Sequence, residues 1–158
     1  MTWQRICATA EDTIAAGEAF AAVLASGDIV LLSGTLGAGK TTFVKGVAKG
    51  LGVHERVTSP TFTMVREHRC SNDVGIETLH HCDVYRVESL DEVLDLALGE
   101  VVEDAAVALV EWGELAAAVF GRDVMTVDFT LDDHDVRTLR VDGELAATRA
   151  AQLDRWAS

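Results

Sequence analysis

Proline is nearly absent from this sequence of 158 residues: Pro60 is the only one. No proline-rich linker, low-complexity tract or internal repeat divides the chain, so the expectation is one compact domain over residues 1–158. Only three cysteines occur, Cys7, Cys70 and Cys82. They cannot all pair, which argues against an exported disulfide scaffold. No apolar run approaches the roughly 18 residues that a membrane span needs. The opening Met-Thr-Trp-Gln-Arg lacks the apolar stretch of a signal peptide, so the expected location is cytoplasmic. Basic residues are also few: 13 Lys and Arg stand against 26 Asp and Glu, a net charge of −13. No cluster of lysine or arginine offsets it, which opposes an unaided grip on a polyphosphate surface. Any role involving nucleic acid is therefore expected to run through partner proteins. What is abundant is apolar: 49% of the residues, with 25% charged, reads as globular.

Organisation follows from local patterns. Thr9-Ala-Glu-Asp12 reads as a capping box with Asp in the Glu position. It opens a helical stripe of Ile14, Phe20, Ala21, Val23 and Leu24 that is expected to end near Gly27. Ile29-Val-Leu-Leu32 is a short continuous apolar run, as in a strand buried on both faces. After a glycine-rich loop, Phe43, Val44, Val47, Ala48 and Leu51 predict a helix closed by Gly52. Thr61–Glu67 and Ile76–Tyr85 are rich in β-formers and flank a turn-prone Cys70–Gly75, an antiparallel hairpin. Ser89-Leu-Asp-Glu92 opens another expected helix, stopped by Gly99. Val107–Val110 is a second buried-strand run, and a short helix is expected over Leu115–Phe120. Met125, Val127, Phe129 and Leu131 alternate with polar residues, and Leu139 and Val141 continue beyond a polar turn. The last fifteen residues look helical. The fold class expected is α/β: a P-loop NTPase-like mixed sheet flanked by helices, with an inserted antiparallel hairpin.

The chemistry concentrates between the first buried strand and its helix. Gly34-Thr-Leu-Gly-Ala-Gly-Lys-Thr41 satisfies the spacing G-x-x-x-x-G-K-[ST], with an extra Gly37. Glycines let backbone N–H groups turn toward one centre and approach phosphates closely. The helix that follows adds about half a positive charge at its N-terminus. In such a loop Lys40 reaches the β- and γ-phosphates and the Thr41 hydroxyl ligates Mg²⁺. A second carboxylate is needed on a neighbouring strand, and Glu111 ends the run Ala108-Leu-Val110. Asp83, in His81-Cys-Asp-Val-Tyr-Arg86, is the other candidate, for metal coordination through water or for orienting the attacking water. His80, His81 and Cys82 with Cys70 suggest zinc, but consecutive strand residues point to opposite faces, and packing or hydrogen bonding is the expected role. Ser59-Pro60-Thr61 reads either as a nucleotide-sensing loop or as a rigid turn. Trp112 reads as packing beneath the sheet or stacking near the nucleotide, and its chemistry favours packing.

Taken together, Gly34–Phe43, Val57-Thr-Ser-Pro-Thr-Phe-Thr63, His81–Arg86 and Val110-Glu-Trp112 resemble the TsaE (YjeE) family of threonylcarbamoyladenosine tRNA modification. The resemblance spans residues 34–112. It implies a weak, Mg²⁺-dependent ATPase acting beside TsaD- and TsaB-like partners, which transfer the threonylcarbamoyl group to adenosine 37 of tRNA. It implies ATP contacts from Thr13, Gly34, Leu36, Gly37, Ala38, Gly39, Lys40, Thr41, Thr42 and Thr61. Thr41 and Glu111 would hold Mg²⁺, with Asp83 and Glu111 as catalytic residues. Two positions depart from the family pattern: Thr35 stands where Asp is usual, and Gly113 follows Trp112 where Pro is usual. A small-molecule kinase is the alternative, though no arginine-rich lid is visible. A GTPase lacks support, because Asn72 is the only asparagine and no Asn-Lys-x-Asp reader exists.

Overall fold

Seven strands make one mixed sheet in the order β1-β7-β6-β2-β5-β4-β3 in the computed structural model, which describes residues 2–35, 37–58, 65–83, 105–111 and 123–158. The strands are β1 (Trp3–Cys7), β2 (Ile29–Gly34), β3 (Val65–Arg69), β4 (Thr78–Asp83), β5 (Ala106–Glu111), β6 (Met125–Leu131) and β7 (Arg137–Asp142). Helices α1 (Ala10–Phe20), α2 (Lys40–Gly50), α3 (Glu144–Ala147) and α4 (Ala150–Ala157) complete the described elements. The two continuous apolar runs became the centre: β2 pairs in parallel with both β5 and β6. All six residues of β5 are buried, as a strand covered on both faces requires. β4 extends the parallel core, and β3 closes that edge as the expected antiparallel hairpin. In the connection between them Asn72 does the stitching: its Nδ2 donates to the carbonyls of Leu51 and Ile76 at 2.8 and 2.7 Å.

The α1 capping box is present: Asp12 N–H donates to Thr9 Oγ1 and Asp12 Oδ2 accepts from Thr9 N–H, both at 3.1 Å. The helix ends earlier than expected, at Phe20 rather than near Gly27. Ala22, Val23 and Leu24 instead donate to residues 19, 20 and 21, the tighter i→i−3 pattern that lets Val23 and Leu24 stay buried. Helix α2 closes as its sequence predicts. Gly52 takes φ +79°, Val53 N–H bonds Ala48 O at 2.9 Å, and Gly52 N–H bonds Lys49 O at 3.2 Å, a Schellman cap.

Two features were not legible beforehand. Strand β1 was not predicted, because the inward Arg5 interrupts its alternation. The Arg5 guanidinium lies 6.0 Å from the centre of the Trp156 ring, so it packs rather than solvates. The terminal fifteen residues are helical, as read, but broken between α3 and α4. There Arg149 grips Asp28 with two nitrogens, at 2.7 and 2.9 Å, and Val23 O at 2.8 Å, turning the chain out of helical geometry. Helix α4 is pinned by Trp156 Nε1 to Ala16 O at 2.9 Å. The aromatic cluster Phe20, Phe43, Phe129 and Trp156 fills the space beneath it.

Helices α1 and α2 meet backbone to backbone. A Cβ on Gly17 would lie 2.2 Å from Phe43 O, and one on Gly46 only 2.1 Å from Ile14 O. Gly50 is similarly close to Glu18 O, at 2.6 Å. This contact carries α1 onto the start of α2, where the glycine-rich loop ends. The helices expected near Ser89 and over Leu115–Phe120 lie outside the described residues.

Candidate functional site

The parallel strands β2, β5 and β4 all point their carboxyl ends to one edge, where open α/β sheets place their ligands. Gly34, at the end of β2, takes φ +141°, with its missing Cβ 2.6 Å from Phe129 O. Gly37 and Gly39 take φ +83° and +102°, which L side chains rarely adopt. Among the described residues nothing lies within 4 Å of the Cβ position of Gly37. Gly39 is the N-cap of α2 and brings no capping side chain. The first N–H groups of that helix therefore face the loop without intrahelical acceptors, a natural anion seat. Lys40 is buried, and its Nζ donates to Gly34 O at 2.5 Å, inside the arc of the loop. Ala38 is buried beneath the loop, while Thr42 is half-buried one residue beyond Thr41.

Glu111 stands where its position at the end of β5 implied. It is 4% exposed, and Thr41 Oγ1 lies 3.0 Å from its Oε1 and 3.2 Å from its Oε2. A hydroxyl and a carboxylate so placed are hard oxygen donors, the set Mg²⁺ takes when phosphates and water supply the rest. The residues present thus fit both a polyphosphate and its metal. Asp83 is the register partner of Glu111 on β4, half-buried at the same sheet edge. The structure brings Gly34, Gly37, Ala38, Gly39, Lys40, Thr41, Glu111 and Asp83 to this one edge.

Thr13 is reached through the glycine-packed helices. It is wholly buried, and a Cβ on Gly39 would come within 3.6 Å of its Cγ2. Its hydroxyl donates to Thr9 O at 3.4 Å. Arg137, the first residue of β7, flanks the same glycine, with Nε 3.0 Å from that Cβ position. Its buried Nε has no hydrogen-bond partner among the described residues. Sequence reasoning missed Arg137, since nothing local marks the start of a far hairpin strand as a neighbour of the loop.

His81 is the second residue whose part was missed. Packing and hydrogen bonding were expected of it, but not its partner: the wholly buried imidazole Nε2 is bonded to Glu111 Oε2. Of the residues once suggestive of zinc, Cys82 is buried against the central strands, and burial pushes its thiol up to about 12. Burial likewise pushes the Cys70 thiol up to about 11, and its Sγ lies 3.8 Å from His68 O. Both groups therefore rest as thiols near neutral pH. Leu36, Thr61, the Ser59-Pro60 turn and Trp112 lie outside the described residues.

This edge defines the class: a P-loop NTPase-like α/β protein with a hairpin added beside its parallel core. The family profile described as Threonylcarbamoyl adenosine biosynthesis protein TsaE matches residues 7–139, and the chain belongs to that family. Among its relatives is the tRNA threonylcarbamoyladenosine biosynthesis protein TsaE of Treponema pallidum, 41% identical over 119 residues, 75% of this chain and 84% of that one. The TsaE protein of Bacillus subtilis is 50% identical over 105 residues, 66% of this chain but only 63% of its own length. That of Rickettsia bellii is 33% identical over 142 residues, 89% of this chain and 95% of the relative. The crystal structure of Bacillus subtilis YdiB superposes with a TM-score of 0.76 at 29% identity, covering 99% of this chain and 94% of that one. Among the described residues no helix is long and apolar enough to cross a membrane.

Proposed function

We propose that this chain is a Mg²⁺-dependent ATPase, formed as one cytoplasmic domain, acting with TsaD- and TsaB-like partners. The product is N6-threonylcarbamoyladenosine at position 37 of tRNA. The observation that carries the reading is the contact of the Thr41 hydroxyl with the Glu111 carboxylate at the mouth of α2, directly after the glycine loop. Family membership and the names of the relatives support the tRNA-modification context.

In this reading Gly34, Gly37 and Gly39, with Leu36 and Ala38, offer backbone N–H groups to the phosphate chain, and Lys40 faces its β- and γ-oxygens. Thr42 adds a hydroxyl at the loop, the family resemblance adds Thr61 to the nucleotide contacts, and Thr13 braces Gly39 from behind. Thr41 and Glu111 would hold Mg²⁺, which when bound spreads positive charge over the β- and γ-phosphates. Asp83 orients the attacking water and accepts its proton, since it is the further carboxylate at the same strand ends.

Asp83→Asn keeps the size of the side chain and removes its charge. It should leave nucleotide affinity within about threefold of wild type while slowing phosphate release by roughly a hundredfold, the scale of a lost general base. Parallel losses of affinity and melting temperature would make Asp83 a structural strand residue instead.

Charge shapes the role toward RNA. A protein that holds a tRNA backbone alone must neutralise several phosphates and lose affinity steeply with salt. At −13 this chain is repelled at long range, so the partners would hold the RNA. A mobility-shift titration at physiological salt should show no tRNA binding by the isolated chain. Pull-down with a TsaD–TsaB-like complex should show ATP-dependent capture and faster phosphate release. Tight, salt-sensitive binding of tRNA by this chain alone, or capture indifferent to ATP, would overturn the division of labour.

A further inference from the structure

Glu111 is held from two sides. Thr41 approaches from the loop, and the His81 imidazole approaches from the neighbouring strand. The register explains the geometry. His81 pairs with Leu109 and Asp83 with Glu111, so His81 sits two residues deeper than Asp83 and on the same face of β4. From there the ring reaches the Oε2 of Glu111, below the point where the carboxylate meets Thr41. A carboxylate only accepts, so in this contact Nε2 carries the hydrogen. The other ring nitrogen, Nδ1, is buried and has no hydrogen-bond partner among the described residues. An unsatisfied buried nitrogen is a cost that an apolar side chain of similar size would not carry. Plain packing therefore does not account for a histidine at this position.

We propose that His81 is a positioning residue for the metal site, fixing the plane of the Glu111 carboxylate so that Oε1 faces Thr41 and the cation. The proposal rests on the Mg²⁺ reading above. Thr41 alone cannot do this work, because its hydroxyl lies almost equally near both oxygens, at 3.0 and 3.2 Å. A carboxylate has a broad torsional well about its last bond and turns readily when only one donor holds it. The His81 N–H removes that freedom by engaging Oε2. The arrangement is the outer-shell support that ligating groups commonly receive from the protein behind them.

The test measures Mg²⁺ itself. A fluorescent ADP analogue is titrated with MgCl₂ on the intact protein, and the Mg²⁺ concentration at half-maximal enhancement of binding is read for each variant. His81→Leu should raise that midpoint about ten- to a hundredfold, the usual consequence of losing outer-shell support, with nucleotide affinity in EDTA essentially unchanged. His81→Gln should restore the midpoint to near wild type, because its amide N–H can take the place of Nε2–H. His81→Asn, whose amide stops short at the Nδ1 position, should not. An unmoved midpoint in a folded His81→Leu protein overturns the proposal. So do matching midpoints in the Gln and Asn variants, and that pair decides the matter if the leucine variant does not fold. Glu111→Gln separates the two readings. If it shifts the midpoint and the His81 variants do not, only the positioning role fails. If wild type itself shows no Mg²⁺ enhancement, the metal reading falls and this proposal with it.

Discussion

Lys40→Ala should leave the fold intact and remove most nucleotide binding. The side chain is buried inside the loop with its ammonium on Gly34 O, so it is already held where polyphosphate oxygens would arrive. A charge-assisted hydrogen bond contributes about 1.5–3 kcal/mol, so losing it should weaken ADP or ATP binding roughly ten- to a hundredfold. The effect on phosphate release should be larger still, on the order of a hundredfold or more, because charge on the transferred group grows in the transition state. Calorimetric titration with ATP and a phosphate-release assay read the two effects separately. Unchanged affinity and unchanged release in a folded Lys40→Ala protein would remove the central claim.

Gly46→Ala should produce the largest loss of stability. In an isolated helix the change is favourable by about 1 kcal/mol, since alanine is the better helix former. Here the new Cβ would stand 2.1 Å from Ile14 O, a backbone atom that cannot rotate away. Relief requires α1 and α2 to move apart by more than an ångström, which opens the contact at Gly17 as well. Overpacking of this kind outweighs the propensity gain, and the expected net destabilisation is roughly 2–4 kcal/mol. For a protein of this size that lowers the melting temperature by roughly 5–15 °C. Lys45→Ala, one residue earlier on the exposed face of α2, should change stability by no more than about 0.5 kcal/mol. Moving α1 also withdraws Thr13 from Gly39, so nucleotide affinity should fall in the surviving folded protein. Equal melting temperatures for Gly46→Ala and wild type would show that the helix contact is softer than its geometry implies.

Both predictions begin from residues of different visibility. Lys40 announces itself, because only a lysine at that spacing after three glycines suits a phosphate cradle. Gly46 is silent in the sequence. It looks like an unfavourable residue in a helix interior, and its reason lies across the contact with α1. Glu111 was legible because a buried apolar run ending in an acid projects that acid at a sheet edge. Asp83 was a candidate only through its strand, and the parallel register with β5 is what sets it beside Glu111. The early end of α1 and the break at Arg149 were misread for one reason. Local periodicity does not register an i→i−3 tightening or a clamp to Asp28, 121 residues away.

By itself the sequence determined what is written within a few residues: the glycine loop between strand and helix, the capping box, the Gly52 stop, the buried runs of β2 and β5, and the acid at the end of β5. Each depends on backbone freedom, period or spacing, which neighbours along the chain settle. The tertiary structure alone decided strand order, the backbone contact of α1 with α2, and the arrival of Thr13 and Arg137 at Gly39. It alone brought His81 to the carboxylate of Glu111, 30 residues away. Those placements depend on which strands become neighbours and in what register. Register is set by packing of the whole sheet, a cooperative property that no local stretch of sequence contains.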